Sequence, residues 1–145
     1  MSDDKLIVAE PAGQYTRKPP LVVDCSALAA VLFDEPDRDS AALAMAGKAM
    51  FAPDLLNHEM VSVALKKSAA GHTELAQQAL ADLASLELTR CSVDVAAQFE
   101  LAERTGLTAY DAAYLQLALE MRAPLATFDQ KLGKIAAKLL SGAQQ

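Results

Sequence analysis

The sequence predicts an α/β protein: a three-layer α/β/α sandwich around a central, mainly parallel sheet. Three observations predict it. Short apolar runs rich in branched residues, "LVVD" most clearly, have the length and composition of strands buried on both faces. Longer segments with apolar residues at helical spacing separate them. Glycines and prolines fall at the segment ends, and the connections are short. Alternating strands and helices bury their apolar faces most simply as a parallel sheet with helices on both sides.

In order along the chain, residues 1–20 are polar and end in "TRKPP". They read as an N-terminal arm, with an extended piece at Leu6 to Ala9. Residues 21–145 form one domain. "LVVD" is its first strand, and "SALAAVLF" follows as a helix with Ser26 available as its cap. "DRDSAALAMAGKA" is a second helix, stopped around Gly47, and "MFA" is a short strand. Pro53 and Asp54 open a strong helix, "DLLNHEMVSVALKKSAAG", closed by Gly71. "TELAQQALADLASL" is another helix, with Thr73 and Glu74 at its start. "ELTRCS" reads as a strand and "SVDVAAQFELAERTG" as a helix ending at Gly106. "TAYDAAYLQLALEMR" is the next helix, followed by Pro124 and the strand "LAT". "FDQKLGKIAAKLL" is the last helix, weakened by Gly133.

The chain has 145 residues, enough to bury a core without disulfide staples. It is 52% apolar but only 5% aromatic and lacks Trp, so the core must be mostly Ala, Leu and Val. Cys25 and Cys91 stand in apolar surroundings and read as reduced core residues, without metal-ligand spacing. The acidic start "MSDDKLIVAE" lacks the features of a signal peptide. The longest nearly apolar stretch, Leu21 to Phe33, is too short to span a bilayer. A cytoplasmic protein without membrane contact is expected. The net charge of −6 argues against a generic nucleic-acid-binding surface. It does not exclude a nucleic-acid substrate if several acids share a cation and the basic residues form a local patch.

The acids are therefore informative by position. In open parallel sheets the functional crevice lies outside the carboxyl ends of the strands. Asp24 directly follows "LVV", and Asp129 stands two residues beyond "LAT", so both belong to that edge. Asp111 opens the helix that feeds the Asp129 strand. The start of that helix is expected to point towards the opposite edge, unless the helix crosses to the crevice. Glu59 lies in mid-helix with Leu55, Leu56 and Val63 three or four residues away on its face. Each acid also has a plain structural reading. Asp24 and Asp129 can cap the helices that follow them, Thr108-x-x-Asp111 fits a capping box, and Glu59 can bend out to solvent. The four together weigh more than any one. Several carboxylates in one crevice cannot all ionise without a neutralising cation. Oxygen ligands without His or Cys select Mg²⁺ or Mn²⁺. Such an ion activates water and stabilises charge on a phosphoryl group, which points to phosphodiester hydrolysis.

The succession "LVVDCSALAAVL", "APDLLNHEMVSVALKK" and "LTAYDAAYLQLALEMRAPLATFDQKL" resembles the PIN-domain family, and within it the VapC-like bacterial ribonuclease toxins. The resemblance runs from about Leu21 to the final helix. It implies an α/β/α sandwich and a Mg²⁺- or Mn²⁺-dependent endoribonuclease held in check by a cognate antitoxin protein. Carried onto this chain, the catalytic and metal-holding acids are Asp24, Glu59, Asp111 and Asp129. The hydroxyls of Ser26 and Thr127 are donors that orient carboxylates. In the family the helix bearing the third acid begins at the crevice. The arm of residues 1–20 departs from the pattern, being longer than such toxins usually carry.

Other residues have surface or core readings. His58 and His72 are expected on the surface. Tyr110, Tyr114 and Met121 form a stripe expected to be core or a dimer face rather than a base-stacking surface, since with few aromatics a stacking platform for single strands is poorly supplied. Arg17, Lys18, Lys66, Lys67, Arg104, Lys131 and Lys134 are scattered in sequence and are expected to be solvated surface rather than the lining of a groove for an RNA backbone. The helices within residues 54–86 offer a groove for an antitoxin helix or a homodimer contact. A phosphotransfer receiver or an aspartyl-phosphate hydrolase fits less well. The hydrolase needs a second Asp where Ser26 stands, and the receiver's paired early acids and late Lys are not found. The alternative that remains is a catalytically inactive PIN-like module binding RNA or protein.

Overall fold

A computed structural model of the chain describes residues 6, 7, 9 and 17–142. Most of the arm expected over residues 1–20 lies outside the described residues. So does Val8 of its extended piece, and Leu6, Ile7 and Ala9 carry no strand. Among the described residues, four strands form one sheet: β1 (Pro20–Val23), β2 (Ala49–Pro53), β3 (Leu88–Cys91) and β4 (Leu125–Ala126). Seven helices among the described residues flank it: α1 (Cys25–Leu32), α2 (Arg38–Met45), α3 (Leu56–Ala69), α4 (Thr73–Ser85), α5 (Val95–Thr105), α6 (Ala109–Met121) and α7 (Gln130–Gly142). Every strand and helix expected from residue 21 onwards is present. All the strand pairs are parallel and the order is β3-β2-β1-β4, the sheet of an α/β/α fold.

The order of strands follows from burial. β1 sits between β2 and β4, with Val22 opposite Phe51 on one side and Leu125 on the other. Central strands covered on both faces need an unbroken apolar run, and "LVV" is buried throughout. Each of Val22, Val23 and Leu28 removes a branched side chain from water, about 1.5–3 kcal/mol apiece. The main core joins the strands to α1, α3 and α4 and to Tyr114, Leu117 and Ala118 of α6. A second core of Leu101, Leu107, Ala112, Leu115, Leu132 and Ala136 binds α5, α6 and α7. Helix α6 thus buries residues towards both cores, which is why its sequence is apolar nearly all round.

Two expectations about helix ends change. Ser26 does not cap α1. Asp24 does, as its plain structural reading had it, its Oδ1 accepting the Ala27 amide at 3.0 Å, because the acid occupies the last non-helical position. The start of α6 does not point away from the carboxyl edge. A helix that feeds a parallel strand runs antiparallel to it, so α6 begins where β4 ends. Elsewhere Thr108 caps α6 through the Asp111 amide, and Gly106 closes α5 with φ +74°. That left-handed conformation strains any residue with a Cβ. Gly106→Ala is expected to lower stability by about 1–2 kcal/mol, seen as a lower urea midpoint with an unchanged denaturant slope.

Candidate active site

The strand order reverses at β1: β2 and β3 extend to one side and β4 lies on the other. Such a switch point leaves a crevice outside the strand ends, because the connections leave the two neighbouring strands in opposite directions. Asp24 follows β1 immediately, and Asp129 follows β4 by two residues beyond Thr127. A cleft of about 400 Å³ opens there, lined by Asp24, Glu59, Asp111 and Asp129 together. Sequence positions more than a hundred residues apart therefore meet at one edge. Glu59 reaches the cleft from the first turn of α3 and Asp111 from the first turn of α6.

Asp24 is the centre of a bonded bridge. Ser26 Oγ donates to its Oδ1 at 2.7 Å, and Thr127 Oγ1 donates to its Oδ2. The same two hydroxyls accept amide protons from the loop after β4. Phe128 N–H reaches Ser26 Oγ at 2.9 Å, and Asp129 N–H reaches Thr127 Oγ1 at 3.0 Å. Each hydroxyl thus spends its proton on the buried carboxylate and a lone pair on the backbone. The bridge fixes Asp24 and the loop carrying Asp129 in one arrangement. Asp129 Oδ1 also accepts the Leu132 amide at 2.8 Å, so the capping role expected for it is realised alongside its place in the cleft. Asp111 differs: Thr108 takes its amide, and its carboxylate faces the cleft.

The electrostatics are those of crowded acids. Burial is the main cause of the upward shift of the Asp24 carboxyl from its ordinary range. The hydrogen bonds from Thr127, Ser26 and Ala27 oppose it, and Asp129 adds to it. Glu59 is pushed up by burial and by Asp111 and Asp24, against the hydrogen bond from Tyr114. Asp111 is pushed up by burial, Asp129 and Asp24, with Lys131 partly compensating. Lys131 itself donates to the Gly106 carbonyl at 2.8 Å.

Four cleft residues escaped the sequence reading. Tyr114 was expected to be core or dimer face. It is buried, and its hydroxyl donates to Glu59 Oε1 at 2.7 Å. Its place three residues after Asp111, on the same helix face, was the available clue. The rest of its expected stripe divides: Tyr110 is 64% exposed and Met121 is half-buried. Glu35 and Asp37, in the turn between α1 and α2, also line the cleft, and Lys67 pairs with Glu35 at 3.6 Å. Cys25 lines it as well, a free thiol pushed up to about 12 by burial and by Glu59, Asp24 and Glu35. His58 and His72 are exposed, as expected.

Tyr114→Phe should move Glu59 further upward, since the phenol proton now favours the carboxylate form. Carbon-detected NMR titration of the side-chain carboxyls would read the shift. A Glu59 midpoint that stays put or falls would contradict the role given to that hydrogen bond.

Comparison with known proteins adds the family. The PIN domain model matches residues 21–138. The chain belongs to the PIN domain family. A crystal structure, that of PAE2754 from Pyrobaculum aerophilum, superposes with a TM-score of 0.64 at 21% identity. The match covers 88% of this PIN domain chain and 90% of the other. No curated protein matches the sequence. PIN domains are generally nucleases. Among the described residues, no helix is long and apolar enough to cross a membrane.

The donor chemistry of this PIN domain suits a hard divalent ion, since its four predicted acids offer only oxygen and their shared charge calls for a cation. Among the described residues, no three His, Cys, Asp or Glu side chains are grouped tightly enough to hold an ion between them. A closed cage is not required by Mg²⁺, which keeps several waters and binds through one or two carboxylates.

Proposed function

We propose that this PIN domain is a divalent-metal-dependent endoribonuclease, using Mg²⁺ or Mn²⁺ to hydrolyse RNA phosphodiester bonds. One observation carries the reading: four acids from four separate segments line a single cleft at the switch point of the sheet. Asp24, Asp111 and Asp129 would hold the ion directly or through water, and Glu59 would serve as a ligand or as the base that orients the attacking water. When bound, the ion supplies a water of lowered pKa and neutralises charge developing on the phosphoryl group. The chain's own residues set the geometry. Ser26 and Thr127 hold both oxygens of Asp24, so its carboxylate keeps one orientation towards the cleft. Tyr114 fixes Oε1 of Glu59, and Oε2 takes no hydrogen bond among the described residues, which suits an oxygen that receives a proton from water.

The biological role we propose is the toxin of a toxin–antitoxin pair, on the strength of the VapC-like motifs. Exposed Val61 and Leu65 on α3 offer apolar contacts to an antitoxin helix or to a second copy in a homodimer. The inactive-module alternative is disfavoured by the intact acid set and the bonded bridge that orients it. The test is cleavage of a labelled RNA by purified protein with Mn²⁺, Mg²⁺ or EDTA, alongside Asp129→Ala. Metal-dependent cleavage that the variant lacks is expected. Equal cutting by both proteins would identify a contaminating nuclease, and no cutting with any metal would favour the binding module.

A further inference from the structure

A second groove adjoins the acid cleft and shares Cys25, Glu59 and Val63 with it. Its remaining walls are His58, Ser62, Lys66 and Tyr110, enclosing about 430 Å³. His58, Ser62 and Lys66 follow one another at four-residue spacing and so form a single exposed ridge along α3. Tyr110 faces them from the start of α6, 64% exposed and next in sequence to Asp111.

We propose that this groove is a nucleotide subsite, which holds the single-stranded RNA residue beside the bond to be cut. Its base stacks on Tyr110 and its phosphate is held by Lys66, with Ser62 and His58 as hydrogen-bond donors. The inference rests on the ribonuclease reading and adds the strand's path past these residues.

Charge favours this direction over the others. On the α1–α2 side the cleft is walled by Glu35 and Asp37, and Lys67 is already paired with Glu35. Lys131, near Asp111, donates to the Gly106 carbonyl. Lys66 forms no ion pair among the described residues, so its ammonium is available to a phosphate. A phosphate backbone leaving the metal-neutralised acids therefore meets attraction at Lys66 of α3 and acids at the turn between α1 and α2. An aromatic face beside a cation that can hold the backbone phosphate is the usual pairing for gripping single strands without reading sequence; here these are Tyr110 and the one groove lysine, Lys66. A base inside a duplex has no face to offer Tyr110, so paired RNA is excluded from the subsite.

The test measures binding separately from cleavage. Asp111→Asn provides a background in which no hydrogen bond made by the Asp111 side chain is lost, and turnover is suppressed under the ribonuclease reading. Into it are placed Tyr110→Ala, Tyr110→Phe and Lys66→Gln. Affinity for a fluorescein-labelled single-stranded RNA decamer, and for its duplex, is followed by anisotropy in Mg²⁺ over a range of salt. Tyr110→Ala should weaken single-strand binding about tenfold at every salt concentration, and Tyr110→Phe should restore it. Lys66→Gln should lower the slope of log K against log salt by about 0.7. Duplex affinity should not respond to Tyr110. Unchanged single-strand affinity in Tyr110→Ala, or an unchanged salt slope in Lys66→Gln, overturns the subsite. So does a Tyr110→Ala effect confined to self-association, which would make the face a protein contact. These outcomes are read whether or not the Asp111-containing protein cuts RNA, so failure of the subsite and failure of the nuclease reading are distinct results.

Discussion

Asp24→Asn is expected to lower the RNA-cleaving rate by more than about a hundredfold while leaving the protein folded. Changing groups that merely orient a metal ligand costs about 10–100-fold, and Asp24 is proposed as a ligand itself. The fold should survive because the replacement is nearly isosteric. The Asn carbonyl can still accept from Ser26 Oγ and the Ala27 amide, as Asp24 Oδ1 does. Its amide group then meets Thr127, whose hydroxyl must turn its proton elsewhere while continuing to accept from Asp129 N–H. One hydrogen bond is exchanged for another, at a cost of about 1 kcal/mol or less. Against that cost, a buried negative charge beside Asp129, Asp111 and Glu59 is removed. Asp24→Ala is the harsher change: it removes the cap of α1 and leaves the Ser26 and Thr127 protons without their acceptor. Cleavage assays with matched circular dichroism and melting curves separate the two effects. Wild-type activity in Asp24→Asn would remove this residue from the mechanism.

The sequence was most legible where local chemistry and tertiary placement agree. "LVV" followed by Asp24 announced a buried strand and an acid at its carboxyl end, and both stand there. Thr108 and Gly106 bounded their helices by cap chemistry that works over three or four residues. The direction of α6 was left open by its own residues, and only the resemblance put its start at the crevice. Its residues are compatible with either direction, and only its packing as a parallel crossover sets which end meets the cleft. The pairing of Thr127 with Asp24 entered through resemblance, because no periodicity connects groups 103 residues apart. Tyr114 illustrates a different limit. An aromatic residue on an apolar helix face reads as core, and it is core, but its hydroxyl meets Glu59 from another helix. Glu35 and Asp37 sit in a turn, where polar residues are ordinary, so nothing in their neighbourhood marked them as cleft walls.

Metal-free protein should lose stability as the pH rises above the ordinary carboxylate range, and a divalent ion should restore it. The sign follows from the carboxyls of Asp24, Glu59 and Asp111, all of which are shifted upward in the fold. Between the unfolded and the folded midpoints, the native state holds protons that the unfolded chain has already released. Stability then falls with pH, because the slope is proportional to the protons bound in the unfolded state minus those bound in the native one. The contribution is fully present below the unfolded midpoints and is lost as pH rises through the folded ones. A bound Mg²⁺ or Mn²⁺ favours the ionised form of the same acids, so its stabilisation should be larger at pH 7.5 than at pH 5. At a concentration near 100 times Kd the gain is about 2.7 kcal/mol, or roughly 5–10 °C in Tm for a chain of this size. Calorimetry in EDTA and in Mn²⁺ at the two pH values measures both effects. The overall charge of −6 also grows less favourable with rising pH, so Asp111→Asn is the control. If the cleft is responsible, that single substitution flattens the metal-free pH dependence and shrinks the Mn²⁺ gain. A melting temperature that rises with pH in EDTA, or one indifferent to Mn²⁺ at pH 7.5, would mean that these acids do not share a cation.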